Sequence, residues 1–129
     1  MKQLHFQEKY PITVVDIAKS ETTYTTVDAI ADYFKACIAA TPRVNYIATF
    51  DHFAHTKAIG GDIAPAIQAA VNVVFCFGHA LPNPQVLAVR PRSIGIADLG
   101  DHFVVSFMDA PMKPANDAMQ AWTLALRNH

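Results

Sequence analysis

One short segment of the sequence concentrates side chains of the types that bind metal ions and small molecules. Asp51, His52 and His55 lie directly after a predicted strand, where loops commonly carry binding sites. If the segment is helical, His52 and His55 stand at positions i and i+3 and share one face. Two imidazoles on one face can ligate a metal ion when a third donor joins them. His79 or Cys76, near the end of another predicted strand, is the candidate third ligand.

The same segment supports two other interpretations. Asp51 can cap the helix that follows it, which leaves both histidines as ordinary hydrogen-bonded surface residues. Alternatively, Asp51 orients His52 or His55 as the general base of an enzyme. The HExxH pattern is absent, the five glycines never form GxGxxG, and no pattern specifies a cofactor. Metal binding, acid–base catalysis and a surface role therefore all stay open at this segment.

A pair of arginines is the second candidate. Arg90 and Arg92 flank a proline, which holds the backbone extended, so both side chains are expected to project to the same side. Two guanidinium groups form a fork that fits a carboxylate or a phosphate. The alternative is that each arginine pairs with a carboxylate of the fold or of a dimer partner, such as Asp51, Asp98 or Asp109. If the fork is free, it is the predicted position of an anionic ligand.

A stiff loop after a buried strand is the third candidate. Gly78 follows the apolar run Val71–Phe77, and a glycine there lets another group approach the backbone closely. Pro82 and Pro84 then fix the path of the loop. The alternative interpretation is a connection with a purely structural role.

Periodicity predicts the elements that position these candidates. Alternating or continuous apolar residues predict strands at 11–18, 44–51, 71–77, 86–89, 93–97 and 102–108. Helical spacing and capping residues predict helices after Thr25, over 51–59, after Asp62 and from Pro114. This order is not a strict βαβ alternation. It predicts one α+β domain over residues 1–129, with a mixed or largely antiparallel sheet and helices packed mainly on one face.

Strand polarity decides whether the candidates share one site. If the strand before His52 and the strand before His79 run parallel, with the short helices as the crossover, their ends meet at one edge of the sheet. His79 then approaches His52 or His55, and Arg90 reaches the same cleft. The sequence therefore predicts a shared site that favours an anion.

Composition limits the classes of function. The chain has 129 residues, the size of one domain. Its formal net charge is -1, and its ten Lys and Arg residues are scattered, whereas nucleic-acid binding requires a basic cluster. Only 16% of the residues are charged and 52% are hydrophobic. This balance predicts that a second copy covers part of the apolar surface in a homodimer.

The sequence also indicates a cellular location. No run approaches the roughly 18 apolar residues that span a bilayer, so no membrane association is expected. Residues 1–11 carry charges and lack the apolar stretch of a signal peptide. Cys37 and Cys76 each lie in an apolar segment, which predicts buried, reduced and unpaired thiols. Together these features favour the cytoplasm.

Three landmarks resemble a known family. Phe50-Asp51, Val74–Phe77 and Met108–Pro111 are similar to positions in the domain of unknown function 302 family. There, a helix leads to a strand ending in Asp, a short helix, an apolar strand, a proline-bearing loop and a hairpin ending in Pro. At Leu81–Pro84 and Val89–Ser93 the chain departs from that family and looks closer to a small group of uncharacterised bacterial proteins. The resemblance implies a compact, often dimeric α+β sandwich and brings no catalytic residues.

These observations lead to three hypotheses. The first is a homodimeric module that binds an anionic or metal-bearing small molecule through His52, His55, His79, Arg90 and Arg92. The second is an enzyme with a His–Asp general base and an arginine that holds a substrate carboxylate or phosphate. The third is a structural or protein-interaction domain. Three side chains that converge on one point would indicate a metal site. A His–Asp pair in a pocket beside an arginine would indicate catalysis. A large apolar patch without either feature would indicate an interaction domain.

Overall fold

Six strands form one sheet in the part of the chain that the computed structural model describes, residues 2–6 and 10–128. The strands are β1 (Lys2–Phe6), β2 (Tyr10–Ala18), β3 (Val44–Asp51), β4 (Ala69–Phe77), β5 (Arg92–Asp98) and β6 (His102–Met108). Their spatial order is β1-β2-β6-β5-β4-β3, and every neighbouring pair is antiparallel. The predicted α+β class is confirmed, and the sheet is antiparallel throughout.

Three α-helices accompany the sheet within these residues: α1 (Val27–Ala40), α2 (His52–Ala58) and α3 (Lys113–Ala125). Helix α1 begins where the Thr26 hydroxyl accepts a hydrogen bond from the Ala29 N–H at 3.1 Å. The N-cap is therefore Thr26 rather than Thr25. The helix ends at Ala40, ahead of Pro42, because proline disrupts a helix interior.

One face of the sheet is covered by α1 and α3 and forms the core. Successive side chains of a strand point to opposite faces, and the large apolar residues of the inner strands occupy alternate positions. The buried set on this face is Val15, Ile17, Val71, Val73, Phe75, Ile94, Ile96, Phe103, Val105 and Phe107. It packs in one cluster with Ile30, Phe34, Ile38, Met119 and Leu126. Burying each such side chain contributes about 1.5–3 kcal/mol, so this layer is the main source of stability.

Strand β3 forms one edge of the sheet and carries a β-bulge. Its pairing with β4 shifts register between Tyr46 and Ala48, which leaves Ile47 as an extra residue. Val44 and Tyr46 precede the bulge and point to the covered face, whereas Ala48 and Phe50 follow it and point to the opposite face. A strand without the bulge would place all four residues on one face.

Three further local expectations are corrected. Residues 86–88, predicted to be extended, lie in a 3₁₀ turn at Pro84–Ala88, and Val89 is its C-cap. The Asn83 side chain caps the start of the turn. The chain makes only a turn after Asp62, where a helix is expected. The sequence pattern does not predict β1, because all its side chains are exposed and leave no core-facing stripe.

The two cysteines are free, as predicted, but both are half-buried rather than fully buried. Burial raises the pKa of the Cys37 thiol. Within the described ranges, no helix combines the length and the apolarity needed to cross a bilayer.

A buried hydrogen bond anchors the chain where β6 ends. The Thr13 hydroxyl donates to Asp109 Oδ1 at 2.7 Å, and Thr13 is only 1% exposed. The Gln3 side-chain amide donates to the other carboxylate oxygen, and the Asp109 N–H donates to the Pro11 carbonyl at 2.9 Å. These bonds hold β1, β2 and the segment after β6 together.

We expect Thr13→Val to lower the free energy of unfolding by about 1–2 kcal/mol, because it leaves a half-buried carboxylate without one of its donors. Urea denaturation measures this loss. Thr23→Val is the matched control, since Thr23 is exposed in the bend before α1, and its effect should stay within about 0.5 kcal/mol. Equal effects of the two substitutions would show that the buried hydrogen bond has no special weight.

Candidate functional site

The segment after β3 is a capped helix with two exposed histidines. The Asp51 carboxylate accepts a hydrogen bond from the Ala54 N–H at 2.9 Å, so Asp51 is the N-cap of α2. The rings of His52 and His55 pack on the Phe50 ring, with centroids 4.5 Å and 5.2 Å away. The capping interpretation of Asp51 is confirmed. Both imidazoles lie on the protein surface next to an aromatic ring.

The polarity of β3 and β4 separates the two groups of candidates. Asp51 lies opposite Val71 and Val44 lies opposite Phe77, because the two strands are antiparallel. His79 therefore lies at the far end of the strand pair from His52, roughly 25 Å along an eight-residue strand. The predicted parallel arrangement is wrong, and one copy of the chain does not join these residues in a single site.

His79, considered as the third ligand of a metal ion, is therefore remote from His52 and His55. Among residues 2–6 and 10–128, no group of three or more His, Cys, Asp or Glu side chains is placed to hold a metal ion. Cys76 lies near the same end of β4 as His79. Its thiol donates to the adjacent Phe77 carbonyl at 3.5 Å.

The loop after β4 is held against the sheet by Arg90. Gly78 adopts a positive φ of 88°, and its N–H donates to the Arg43 carbonyl at 2.7 Å. The Arg90 guanidinium lies over Gly78 and donates to the Ala80 carbonyl at 2.6 Å. A Cβ at position 78 would meet Arg90 Nη2 at 2.9 Å. The positive φ favours glycine here, and a side chain at this position would also have to displace the Arg90 guanidinium.

Arg92 fastens the other end of the same loop. It donates to the Met108 carbonyl on β6 and to the Val89 carbonyl at 3.5 Å. Burial lowers the pKa of Arg92, and the nearby Asp109 carboxylate opposes this shift. Neither arginine forms an ion pair with a carboxylate in the described chain, where the ion-paired basic side chains are Lys19, His102, Lys113 and Arg127. Both arginines instead bond backbone carbonyls.

Two clefts open on either side of Gly78. The first, which we call the loop cleft, encloses about 290 Å³ and is lined by Cys76, Gly78, His79, Leu81, Leu87 and Arg90, among others. The second, the helix cleft, encloses about 350 Å³ and is lined by Arg43, Phe77, Gly78, Met112, Ala115 and Ala118, among others. Trp122 of α3 supports the helix cleft from below, since its ring stacks on Phe77 at 6.1 Å. The end of β4 and helix α3 thus form one wall of the helix cleft.

The lining of both clefts combines donors with apolar surface. Arg43 and Arg90 supply guanidinium groups and His79 an imidazole, while neither lining includes an Asp or Glu of the described residues. Leu81 is 76% exposed and Met112 is 56% exposed. Exposed apolar side chains beside unopposed positive charge suit a ligand with an anionic group and an apolar body.

The sequence predicts part of this arrangement. Its candidates Gly78, His79, Arg90 and Arg92 lie together at one end of the sheet. The predicted partners His52 and His55 lie at the other end. Arg43 is not predicted, because nothing in the sequence marks a residue between a helix end and a strand as part of a cleft. Its positive φ of 63° at a non-glycine residue becomes visible only in three dimensions.

The protein is thus a small α+β domain with two clefts at one end of an antiparallel sheet. Both clefts are lined by basic and apolar side chains. The chain belongs to the Family of unknown function (DUF6858), whose model matches residues 1–128. The resemblance to the domain of unknown function 302 family is thereby corrected, since the three landmark stretches that carried it are too short to separate α+β families. Neither the curated proteins nor the solved structures contain a significant match to the chain.

The contact between Gly78 and Arg90 can be tested with two glycines. Gly78 and Gly60 both have positive φ, but a Cβ at Gly60 would meet nothing within 4 Å. We expect Gly60→Ala to lower the free energy of unfolding by about 1–2 kcal/mol, the cost of a left-handed backbone for alanine. Gly78→Ala should cost more, because its Cβ also displaces Arg90.

Chemical denaturation of the single variants and of Gly78→Ala combined with Arg90→Ala measures the difference. In the Arg90→Ala background the added cost of Gly78→Ala should fall to the value seen for Gly60→Ala. If the cost is the same in both backgrounds, the close approach of Arg90 does not constrain position 78.

Proposed function

We propose that this domain binds a small amphipathic anion, a carboxylate or phosphate carried on an apolar chain or ring, in the clefts beside Gly78. The observation that carries this proposal is the lining itself: Arg43, His79 and Arg90 surround one strand end together with exposed apolar side chains. Ligand pockets in proteins are mostly apolar and carry a few polar groups that fix orientation.

Charge supports an anionic ligand. The chain as a whole has a formal net charge of -1, so the attraction of an anion must come from local charge. Asp109 is the acidic residue that acts on Arg92, and its carboxylate accepts from Thr13 and Gln3. The guanidinium groups of Arg43 and Arg90 have no carboxylate partner among the described side chains, so their charge is available to a ligand.

Size and apolar surface support an amphipathic ligand over a bare ion. The loop cleft and the helix cleft, at about 290 Å³ and 350 Å³, fall near the lower end of the range for small-molecule sites. Leu81 and Leu87 are 76% and 65% exposed. An apolar chain that covers them gains about 25 cal/mol for each Å² removed from water. The anionic group then determines the orientation and the apolar part contributes affinity.

Binding is favoured over general-base catalysis by the use already made of Asp51. Its carboxylate caps α2 through the Ala54 N–H, and no hydrogen bond joins it to an imidazole in the described chain. The His–carboxylate pair that does form there is His102 with Asp101, on an exposed turn at the other end of β6. The loop cleft and the helix cleft, which contain the arginines, include no Asp or Glu in their linings.

The proposal is tested by titration calorimetry with octyl phosphate, octanoate, inorganic phosphate and octanol. We expect the two amphipathic anions to bind and the two fragments to bind at least about tenfold more weakly, since each lacks one part of the recognition. Arg43→Asn should weaken octyl phosphate binding about tenfold or more. Asparagine tolerates the left-handed backbone at position 43, so the fold is expected to persist.

Two matched variants complete the test. Lys57→Gln removes an exposed cation at the end of α2 and should leave the affinity unchanged. Leu81→Ser should weaken octyl phosphate binding and leave any response to inorganic phosphate unaltered. Equal losses of octyl phosphate affinity in Arg43→Asn and Lys57→Gln would indicate general charge attraction and overturn the proposed site. The absence of any binding by the parent protein would overturn it as well.

A further inference from the structure

Strand β3 is exposed along an edge of the sheet where proteins normally avoid apolar residues. Every residue from Asn45 to Asp51 is exposed, including Ile47 at 54%. The run Val44–Phe50 contains no charged residue and no proline. In the strand order of the described residues, β3 has a neighbour on one side only. Its outer backbone groups are thus free to pair with another strand.

The opposite edge of the sheet shows the usual protection. Strand β1 has five residues and includes Lys2, and short, charged edge strands discourage pairing between molecules. β3 has eight residues, and its charged neighbours stand only at its two ends, Arg43 before it and Asp51 as its last residue. This contrast between the two edges indicates that another strand covers β3.

We infer that β3 pairs antiparallel with β3 of a second copy of this chain, so that two six-stranded sheets become one continuous sheet. This inference goes beyond the proposed ligand site and does not depend on it. The occupant is a second copy rather than an unrelated peptide because the ends of the strand are complementary in charge. Antiparallel pairing of two identical strands brings the basic start of one strand beside the acidic end of the other.

The bulge fixes the register of this pairing. Opposite residues of two antiparallel strands point to the same face. In β3 the covered face is taken by Val44, Tyr46, Thr49 and Asp51, and the other face by Asn45, Ala48 and Phe50. These faces match over the full length of the strand, Val44–Asp51, when the two-fold axis passes between Ile47 and Ala48. Val44 then lies opposite Asp51 of the partner subunit, and Ile47 lies opposite Ala48 of the partner subunit.

The same register has a consequence for the clefts. One position beyond Val44, Arg43 lies next to His52 of the partner subunit. The antiparallel β3–β4 pair places His52 and the Gly78 clefts at opposite ends of one chain, but a second copy brings the partner's α2 to the Arg43 end. Ile47, which borders the loop cleft, lies at the centre of this interface. Each cleft thus adjoins the second subunit.

Sedimentation velocity of the parent protein over a wide range of concentration should show a species of twice the 14.1 kDa chain mass. Ile47→Lys places a charge at the centre of the paired edge and should give a monomer with an unchanged circular dichroism spectrum. Ser106→Lys is the matched control, because Ser106 points from the middle of the sheet to the uncovered face. It should remain dimeric.

Cross-linking tests the register. In a background without Cys37 and Cys76, Ile47→Cys should form an intermolecular disulfide on mild oxidation with diamide, because the two copies of position 47 flank the axis. Asn45→Cys, farther from the axis, should not. A monomeric parent protein, a dimer broken by Ser106→Lys but not by Ile47→Lys, or a cross-link at position 45 but not at 47 would each overturn the inference.

Discussion

The alternation of bulky side chains along β4, β5 and β6 is the constraint on which the rest of this structure depends. Because the largest apolar side chains of these strands lie on one face, α1 and α3 pack on the same side of the sheet. Asn72, Gly95 and Ser106 form a polar and small row across the opposite face, beside apolar residues such as Val74 and Val104. Once the covered face is chosen, the connections between strands must emerge at the two ends of the sheet, and the clefts form at one of them.

Arginine carries out a structural task at that end. Loop carbonyl groups that have no partner in a helix or a sheet ladder can accept hydrogen bonds from side chains. Arg90 and Arg92 donate such hydrogen bonds to the carbonyls of Ala80, Val89 and Met108. The two guanidinium groups that were predicted to bind an anion therefore also hold the loop in place. The charge of a guanidinium that bonds a neutral carbonyl is not cancelled. The same side chains can therefore hold the loop and attract an anion, with Arg43 completing the positive lining.

Much of the fold follows from the sequence because the core residues are large and regularly spaced. The run Val71–Phe77, the alternation at Phe103, Val105 and Phe107, and the spacing in α1 each indicate one structure. The predicted parallel polarity of β3 and β4 is wrong. The length of the connection, residues 52–68, does not decide the polarity, because it suffices for a crossover as well as for an antiparallel return. The bulge at Ile47 and the positive φ of Arg43 depend on neighbouring strands, so local sequence patterns do not reveal them.

The central claim is that an amphipathic anion is recognised at the Gly78 end of the sheet, and amide chemical-shift mapping tests it most directly. Octyl phosphate is titrated into ¹⁵N-labelled protein, and shifts are followed residue by residue. The account predicts that Arg43, Gly78, His79 and Arg90 shift first and most, with a common dissociation constant. Shifts concentrated instead on the α2 segment, at His52 and His55, or spread evenly over the surface would contradict it.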